Sequence, residues 1–427
     1  MFRYFVPLTN EMYARISQCC LLLLLFVVSS AAQTTKELDE SLLYALDQST
    51  APSVATIQQL LDKGAAVNAK SDEGTALMFA VRRGQTEIVK LLLAAGAQVD
   101  AKHRLGDSAL IMSARRSIPE MNPPKGQPLP PPASEIMSLL LASGADANFS
   151  GQWGHTALME ANTAAKVKLL LTHGARVNVR DEMGMTALVH AVNRGDVEVV
   201  HALLQAGADA SIADEDGTTA LMYALQEPSP YNREGSTELR VEAARLLLKG
   251  KIGDVNAQNK NGETALMRAV DLGAIEVVKS LLDRGANVNL SDVLGNTAAV
   301  RAYEKDLTAI QQLLKVKARR PTRPVLNAFL RAAVGKKDAG KVRELLKSGA
   351  DANYEYAIGY DHQNIKSTVL ILAAQMGDAS IVKLLLAAGA NVNAKGLLTG
   401  SEHGLEYGTA LDATKDPTIL NLLRKSP

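Results

Sequence analysis

Residues 74–100 read GTALMFAVRRGQTEIVKLLLAAGAQVD. Thr75 stands directly ahead of Ala76 and Leu77 and suits a helix N-cap, where its hydroxyl accepts a free amide of the first turn. Ala76 is a good helix former for the position that follows. Leu77 and Ala80 are three apart and share one helical face. Gly84 breaks the chain. From Glu87 to Leu93 the apolar positions return at helical spacing, which predicts a second helix. Gly96 suits the left-handed residue that ends a helix, and a polar residue such as Asp100 favours the turn beyond it.

The pattern recurs along the chain. Gly74-Thr-Ala-Leu77 is followed by Asp107-Ser-Ala-Leu110, His155-Thr-Ala-Leu158, Met185-Thr-Ala-Leu188, Thr218-Thr-Ala-Leu221 and Glu263-Thr-Ala-Leu266. Weaker copies are Asn296-Thr-Ala-Ala299, Ser367-Thr-Val-Leu370 and Gly408-Thr-Ala-Leu411, with a degenerate copy at Leu330. A second signature runs in step with the first: Gly64-Ala-Ala-Val-Asn68, Gly96-Ala-Gln-Val-Asp100, Gly144-Ala-Asp-Ala-Asn148, Gly174-Ala-Arg-Val-Asn178, Gly207-Ala-Asp-Ala-Ser211, Gly285-Ala-Asn-Val-Asn289, Gly349-Ala-Asp-Ala-Asn353 and Gly389-Ala-Asn-Val-Asn393. The base period is 33 residues, as between Leu77 and Leu110, with insertions in some copies. A fixed period of this length marks a stack of supersecondary units, each burying its apolar face on its neighbours.

The repeat resembles the ankyrin repeat over residues 39–427. The resemblance implies an all-α repeat solenoid: helix-turn-helix units joined by β-hairpin or turn fingers, about ten of them here. One departure is clear. Where the family has T-P-L-H, this chain has T-A-L-M, with Met78, Met159, Met222 and Met267 at the histidine position. The family's histidine ties neighbouring repeats by hydrogen bonds, so more reliance on apolar packing is expected. The first repeat, near Leu42–Lys70, opens with the polar run Lys36–Ser41 as a terminal cap. A terminal repeat has to cover the apolar end of the stack.

The formal net charge of +1 gives no field that would hold nucleic acid. Both cysteines, Cys19 and Cys20, precede residue 33, so the chain beyond has no disulfide, thiolate nucleophile or cysteine zinc site. Arg15, the apolar run Cys19–Val28, and small residues at Ser30 and Ala32 form the pattern of a secretory signal peptide over 1–32, cleaved after Ala32. The run is short of the ~20 residues of a membrane span. An uncleaved signal anchor is the alternative, and Met12 would be a tidier start. Residues 33–38 are a short linker. The expected destination is the periplasm or the medium, the former by analogy within the family.

The array is interrupted. Residues 115–133 hold seven prolines and predict an exposed, semi-rigid loop between two helices; a Pro-rich ligand is the other reading. Residues 226–238 interrupt another repeat at the same point. Near 319–324 the finger signature fails, which suggests a hinge between an N-terminal stack (39–318) and a C-terminal stack (325–427). Two insertions, 354–366 and 396–407, extend C-terminal fingers and carry Tyr354, Tyr356, Tyr360 and Tyr407. Tyrosine is enriched at binding hot spots, and ankyrin partners usually meet the fingers and first helices. These tyrosines are therefore candidate partner-binding residues, set against packing on the adjacent finger. Trp153 on another finger is a candidate on the same terms. From Lys315 to Lys347 there are eleven basic and two acidic residues, either for an acidic partner or as a solvated helix face.

No phosphate loop, H-E-x-x-H or G-x-S-x-G elbow occurs. The seven histidines are scattered; His103 and His155 sit at fingers, and His190 and His201 on two helices of one repeat. No catalytic residue, cofactor or metal site is expected. The leading expectation is a non-catalytic protein-binding scaffold with an unknown protein partner and no integral span after signal cleavage. A self-associating structural protein and, behind it, an enzyme with an unrecognised site are the alternatives.

Overall fold

The computed structural model describes residues 34–47, 52–115, 133–227, 237–317, 322–357, 366–398 and 406–426. The expected signal peptide with Ala32, residues 116–132 and 228–236 of the two inter-helix insertions, 319–321 of the expected hinge, and Tyr360 lie outside the described residues. The fold class is an all-α repeat solenoid, with short hairpins as its only sheets among the described residues.

The chain divides into two compact units, Met1–Glu182 and Met183–Pro427. In the first, residues 34–47 are helical and precede the helix Val54–Asp62. Three helix pairs follow: Ala76–Arg83 with Thr86–Ala94, Ala109–Arg115 with Ala133–Ala142, and Ala157–Glu160 with Ala164–Thr172. The second unit pairs Ala187–Arg194 with Val197–Gln205, Ala220–Ala224 with Thr237–Lys249, and Ala265–Asp271 with Ile275–Asp283. It continues with Ala298–Glu304 and Thr308–Lys317, Arg323–Gly335 and Ala339–Lys347, then Val369–Met376 and Ala379–Ala387, closing on Pro417–Arg424.

The motif residues do what their chemistry predicts. Thr75, Thr186, Thr219, Thr264, Thr297 and Thr368 are extended N-caps whose hydroxyls accept the amide three residues on. Gly84 and Gly195 end first helices in the left-handed region, at φ 72° and 76°, which costs glycine little. The motif leucines Leu77, Leu110, Leu158, Leu188, Leu221 and Leu266 are buried.

Methionine in T-A-L-M does more than fill space. Met78 and Met159 are buried, and each Sδ accepts the backbone amide of its own N-cap threonine at 3.4 Å. The thioether is a weak acceptor, but it satisfies an amide that the cap geometry would otherwise strand. This bond lies within one repeat and ties no repeat to its neighbour.

Two polar devices join repeats. The first is the last residue of the Gly-Ala-x-Val-Asn signature. The Asn148 amide donates to Gly174 O at 3.0 Å while its Oδ1 accepts Arg176 N at 2.8 Å. Asn353 repeats this on Gly389 O and Asn391 N, at 3.0 and 2.7 Å. Asn68 accepts Gln98 N, and Asn256 accepts Asn287 N. The second device is a cation that reaches the C-terminal carbonyls of a preceding first helix, where the helix dipole favours positive charge. Buried Lys166 donates to Ala114 O at 2.8 Å and Asn162 Oδ1 at 2.7 Å. Buried Arg240 donates to Asn193 O at 3.2 Å, and burial lowers its pKa. Both lie in second helices, Arg240 directly after the 226–238 insertion.

The degenerate copy at Leu330 is a thirteen-residue helix, Arg323–Gly335, with Pro324 in its first turn. Pro tolerates that position because the amide it lacks would be unbonded anyway. Within this unit, Arg331 pairs with Glu304 at 2.7 Å and Tyr303 donates to Asp338 at 2.8 Å. These contacts link the helices on either side of 318–321.

Candidate functional site: the finger surface

Three fingers of the second unit are held by the residue three before the finger glycine. Asp214 Oδ1 accepts the amides of Asp216 (2.9 Å) and Thr218 (2.7 Å). Asn259 does the same for Asn261 and Glu263, and Asp292 for Leu294 and Asn296. Short Asx side chains hold such turns because they imitate a backbone acceptor. The following glycines, such as Gly217 and Gly262, take φ of 77° and 72°. The T-A-L motif alone does not point to these Asx residues, although their period in D/N-x-x-G-x-T is visible in the sequence.

Fingers are then laced to one another by their backbones. Glu182 N donates to Trp153 O at 3.0 Å in the first unit. In the second, Glu215 N donates to Met183 O, Lys260 N to Asp216 O and Val293 N to Asn261 O, at 3.1, 2.7 and 2.9 Å. Within each unit these tips are thereby held one hydrogen bond apart.

The C-terminal fingers are longer. Glu355–Ala357 pairs antiparallel with Lys366–Thr368, and Gly396–Leu398 with Glu406–Gly408. The hairpins touch where Ser367 Oγ donates to Leu397 O at 3.1 Å. A Cβ on Gly396 would lie 2.8 Å from Ser367 Cα, so only glycine permits this approach.

Behind the tips, charged groups lock fingers to first helices. In the first unit Arg115 bridges Asp107 (3.1 Å) and Glu160 (2.8 Å). His155 Nδ1 lies 2.8 Å from Glu160 and Nε2 3.6 Å from Asp181. Burial alone would raise the Glu160 carboxyl, but hydrogen bonds from His155 and Arg115 hold it down at about 2. The same bond to Glu160 raises His155 against the opposing pull of burial. In the second unit Arg301 is buried among Glu263 (3.1 Å), Asp292 (2.7 Å) and Asp271, and Arg268 also pairs with Glu263 at 3.0 Å. Tyr223 donates to Asp214 at 2.7 Å. These groups spend their charge on each other and hold the fingers at a set angle.

The expected site residues fall into two kinds. Tyr356 is 9% exposed within the C-terminal core, beneath Arg331 at 5.8 Å from its ring. Half-buried Tyr354 stands 6.5 Å from it, ring to ring. Both are packing residues of the finger. Tyr407 is 57% exposed and Trp153 61%; Tyr407 lies opposite Leu397 on the last hairpin. Of eight exposed large apolar side chains among the described residues, five stand on fingers: Leu105, Trp153, Met183, Val293 and Tyr407. Elsewhere, His103 Nδ1 accepts Asp107 N within its finger, and His201 is exposed beside Gln205.

No helix of the described residues is long and apolar enough to cross a membrane.

The family description "Ankyrin repeats (3 copies)" matches residues 16–121, 132–214, 160–234 and 212–292, more than half of the chain, and "Ankyrin repeat" matches 366–397. An ankyrin repeat and KH domain-containing protein of Caenorhabditis briggsae is 30% identical over 164 residues, 38% of this chain and 6% of that protein. An ankyrin repeat protein of Acanthamoeba polyphaga mimivirus is 37% identical over 81 residues, 19% of this chain and 49% of that one. The chain thus spans less than half of either relative. With the caps, the fingers and the period, these matches establish that the chain belongs to the ankyrin-repeat family.

Proposed function

We propose that this chain is a non-catalytic protein-binding scaffold that presents its finger tips to a partner protein. Ankyrin repeats generally mediate protein–protein interaction. The observation that carries the reading is the concentration of exposed apolar side chains on the fingers, Leu105, Trp153, Val293 and Tyr407 among them. Bare aromatic and aliphatic groups on fingers braced by hydrogen bonds lose little entropy on docking, and scattered single exposures would need no such explanation. The ionised groups behind the tips act as braces.

The test is affinity capture with the full-length chain on extracts of its own cells, alongside a variant with Leu105, Trp153, Val293 and Tyr407 changed to serine. A partner retained by the parent chain and lost from the variant, with unchanged circular dichroism, is the expected result. A partner retained equally by both refutes a finger-tip site. Self-association as the main role would instead show as concentration-dependent oligomers without a foreign protein. We further infer export, from the basic flank, apolar run and small residues of 15–32. N-terminal sequencing of the protein from its source is expected to begin at Gln33, and a start at Met1 would refute cleavage.

A further inference from the structure

We propose that the neighbouring fingers 102–107 and 151–155 form a docking site for an extended acidic peptide that carries an apolar side chain. The inference rests on the scaffold reading above and names the partner's chemistry at one place on it.

The two fingers meet through their backbones. Gln152 N donates to Asp107 Oδ1 at 2.9 Å. A Cβ on Gly106 would come within 3.4 Å of Gln152 N, and one on Gly151 within 2.5 Å of Asp107 Oδ1. The residues beside these contacts, Leu105 and Trp153, are therefore close neighbours at the tips, and they are 51% and 61% exposed. Together they make a small apolar platform in water, built on a base that cannot slide.

Trp153 is also held at a backbone cost. Its φ is 58°, in the left-handed region, which disfavours residues with a Cβ. In the other fingers, among the described residues, glycine alone takes the positive φ. Here the glycine, Gly154 at 75°, is preceded by a tryptophan in the same conformation. The indole stays 61% exposed all the same. Strained backbone under an exposed aromatic side chain is the pattern expected of a contact residue, and tryptophan dominates interface energetics when a partner buries it.

Charge supplies the partner's sign. Behind the platform the ionised groups neutralise one another, whereas at its rim Lys102 and Arg104 are exposed, and no carboxylate among the described residues pairs with either. The Lys102 ammonium lies 4.9 Å over the Phe149 ring. On the far side of Trp153, exposed Glu182 is held by the bond from its amide to Trp153 O. The tips thus present cations on the Leu105 side and an anion on the other. A peptide lying across them places its carboxylates toward Lys102 and Arg104 and its apolar side chain on Trp153.

The test is a selection of random displayed dodecapeptides against the full-length chain. Recovered peptides are then synthesised and titrated while following the emission of Trp153, the only tryptophan of the chain. The expected peptides are rich in Asp and Glu beside Leu, Phe or Trp, and they shift the Trp153 emission. Changing both Lys102 and Arg104 to glutamate should weaken them tenfold or more. Trp153→Gly, titrated by calorimetry because it lacks the indole, should weaken them at least as much while leaving the chain folded, because glycine accepts the backbone conformation. Peptides without an acidic excess, or an oligothymidylate that binds these tips more tightly than any peptide, overturn the proposal. Acidic peptides that bind Trp153→Gly undiminished overturn this site and leave the scaffold reading standing. A selection that enriches no peptide overturns this proposal and leaves the scaffold reading to the capture experiment.

Discussion

Replacing Asn148 with alanine removes two bonds between adjacent repeats and almost nothing else. Its Nδ2 donates to Gly174 O at 3.0 Å and its Oδ1 accepts Arg176 N at 2.8 Å. Its own backbone amide, bonded to Asp146 Oδ1, is untouched. A net hydrogen bond contributes about 0.5–1.5 kcal/mol. Asn148 is half-buried, so water can replace part of what is lost, and the sum comes to about 1–2 kcal/mol. In a repeat array that loss belongs to one interface. The assay is native-state hydrogen exchange, where Arg176 N should exchange about 5- to 30-fold faster. The corresponding amide of Asn391, on Asn353, should keep its rate. Asn148→Asp separates the two bonds: it keeps the acceptor but turns a carboxylate toward the Gly174 carbonyl. The native chain shows that case at Asp100, which only accepts, from Asp146 N at 3.1 Å, and whose pKa is raised chiefly by burial. A raised folded-state pKa makes the variant's stability relative to the parent fall as pH rises through it. The variant should therefore be weaker at neutral pH than in mild acid. An Arg176 amide unchanged in Asn148→Ala, or rates raised equally along the whole chain, would refute the interface role.

Three further outcomes follow from the braces and caps. Met159→Leu keeps the buried volume but leaves Thr156 N without its sulfur acceptor, and should lower stability in urea by about 1–2 kcal/mol; no measurable loss would show the thioether bond to be idle. Arg301→Met leaves the fully buried Asp292 side chain without its cation, for a cost of about 3–5 kcal/mol, read by chemical denaturation; a loss under about 1 kcal/mol would contradict the assigned network. The Glu160–His155 bond has a defined pH window. Glu160 is depressed from 4.5 to about 2, so its contribution is full above about 4.5 and disappears as pH falls toward 2. His155 is raised from 6.5, so its contribution is full below 6.5 and disappears as pH rises through its folded value. Glu160→Gln should lower the His155 midpoint in an NMR titration, and an unmoved midpoint would refute the coupling.

Much of this was legible in the residues because repeats are local objects. Thr75 capping its helix, Gly84 and Gly96 in the left-handed region, and Leu77 buried on one face all follow from spacings shorter than one repeat. The T-A-L-M departure was visible too, but the sulfur's bond to its own cap was not, since it depends on a rotamer chosen by packing. Asn148 looked like a turn residue in its own repeat. Its partners, Gly174 and Arg176, are set by how the next repeat docks.

The fingers show the same division. Tyrosine content and finger position were read from composition, and they placed Tyr354, Tyr356 and Tyr407 together as candidates. In the hairpins, pleat and neighbours separate them. Tyr356, opposite Ser367, turns into the C-terminal core. Tyr407, opposite Leu397, stays in water because its strand lies on the outer side of the last described hairpin. By itself the sequence determined the repeat, its helices, its caps and its family, because these depend on contacts within about one period. Only the tertiary structure decided which side chains join repeats and which are left exposed at the tips, because burial on a finger is a property of the neighbouring finger.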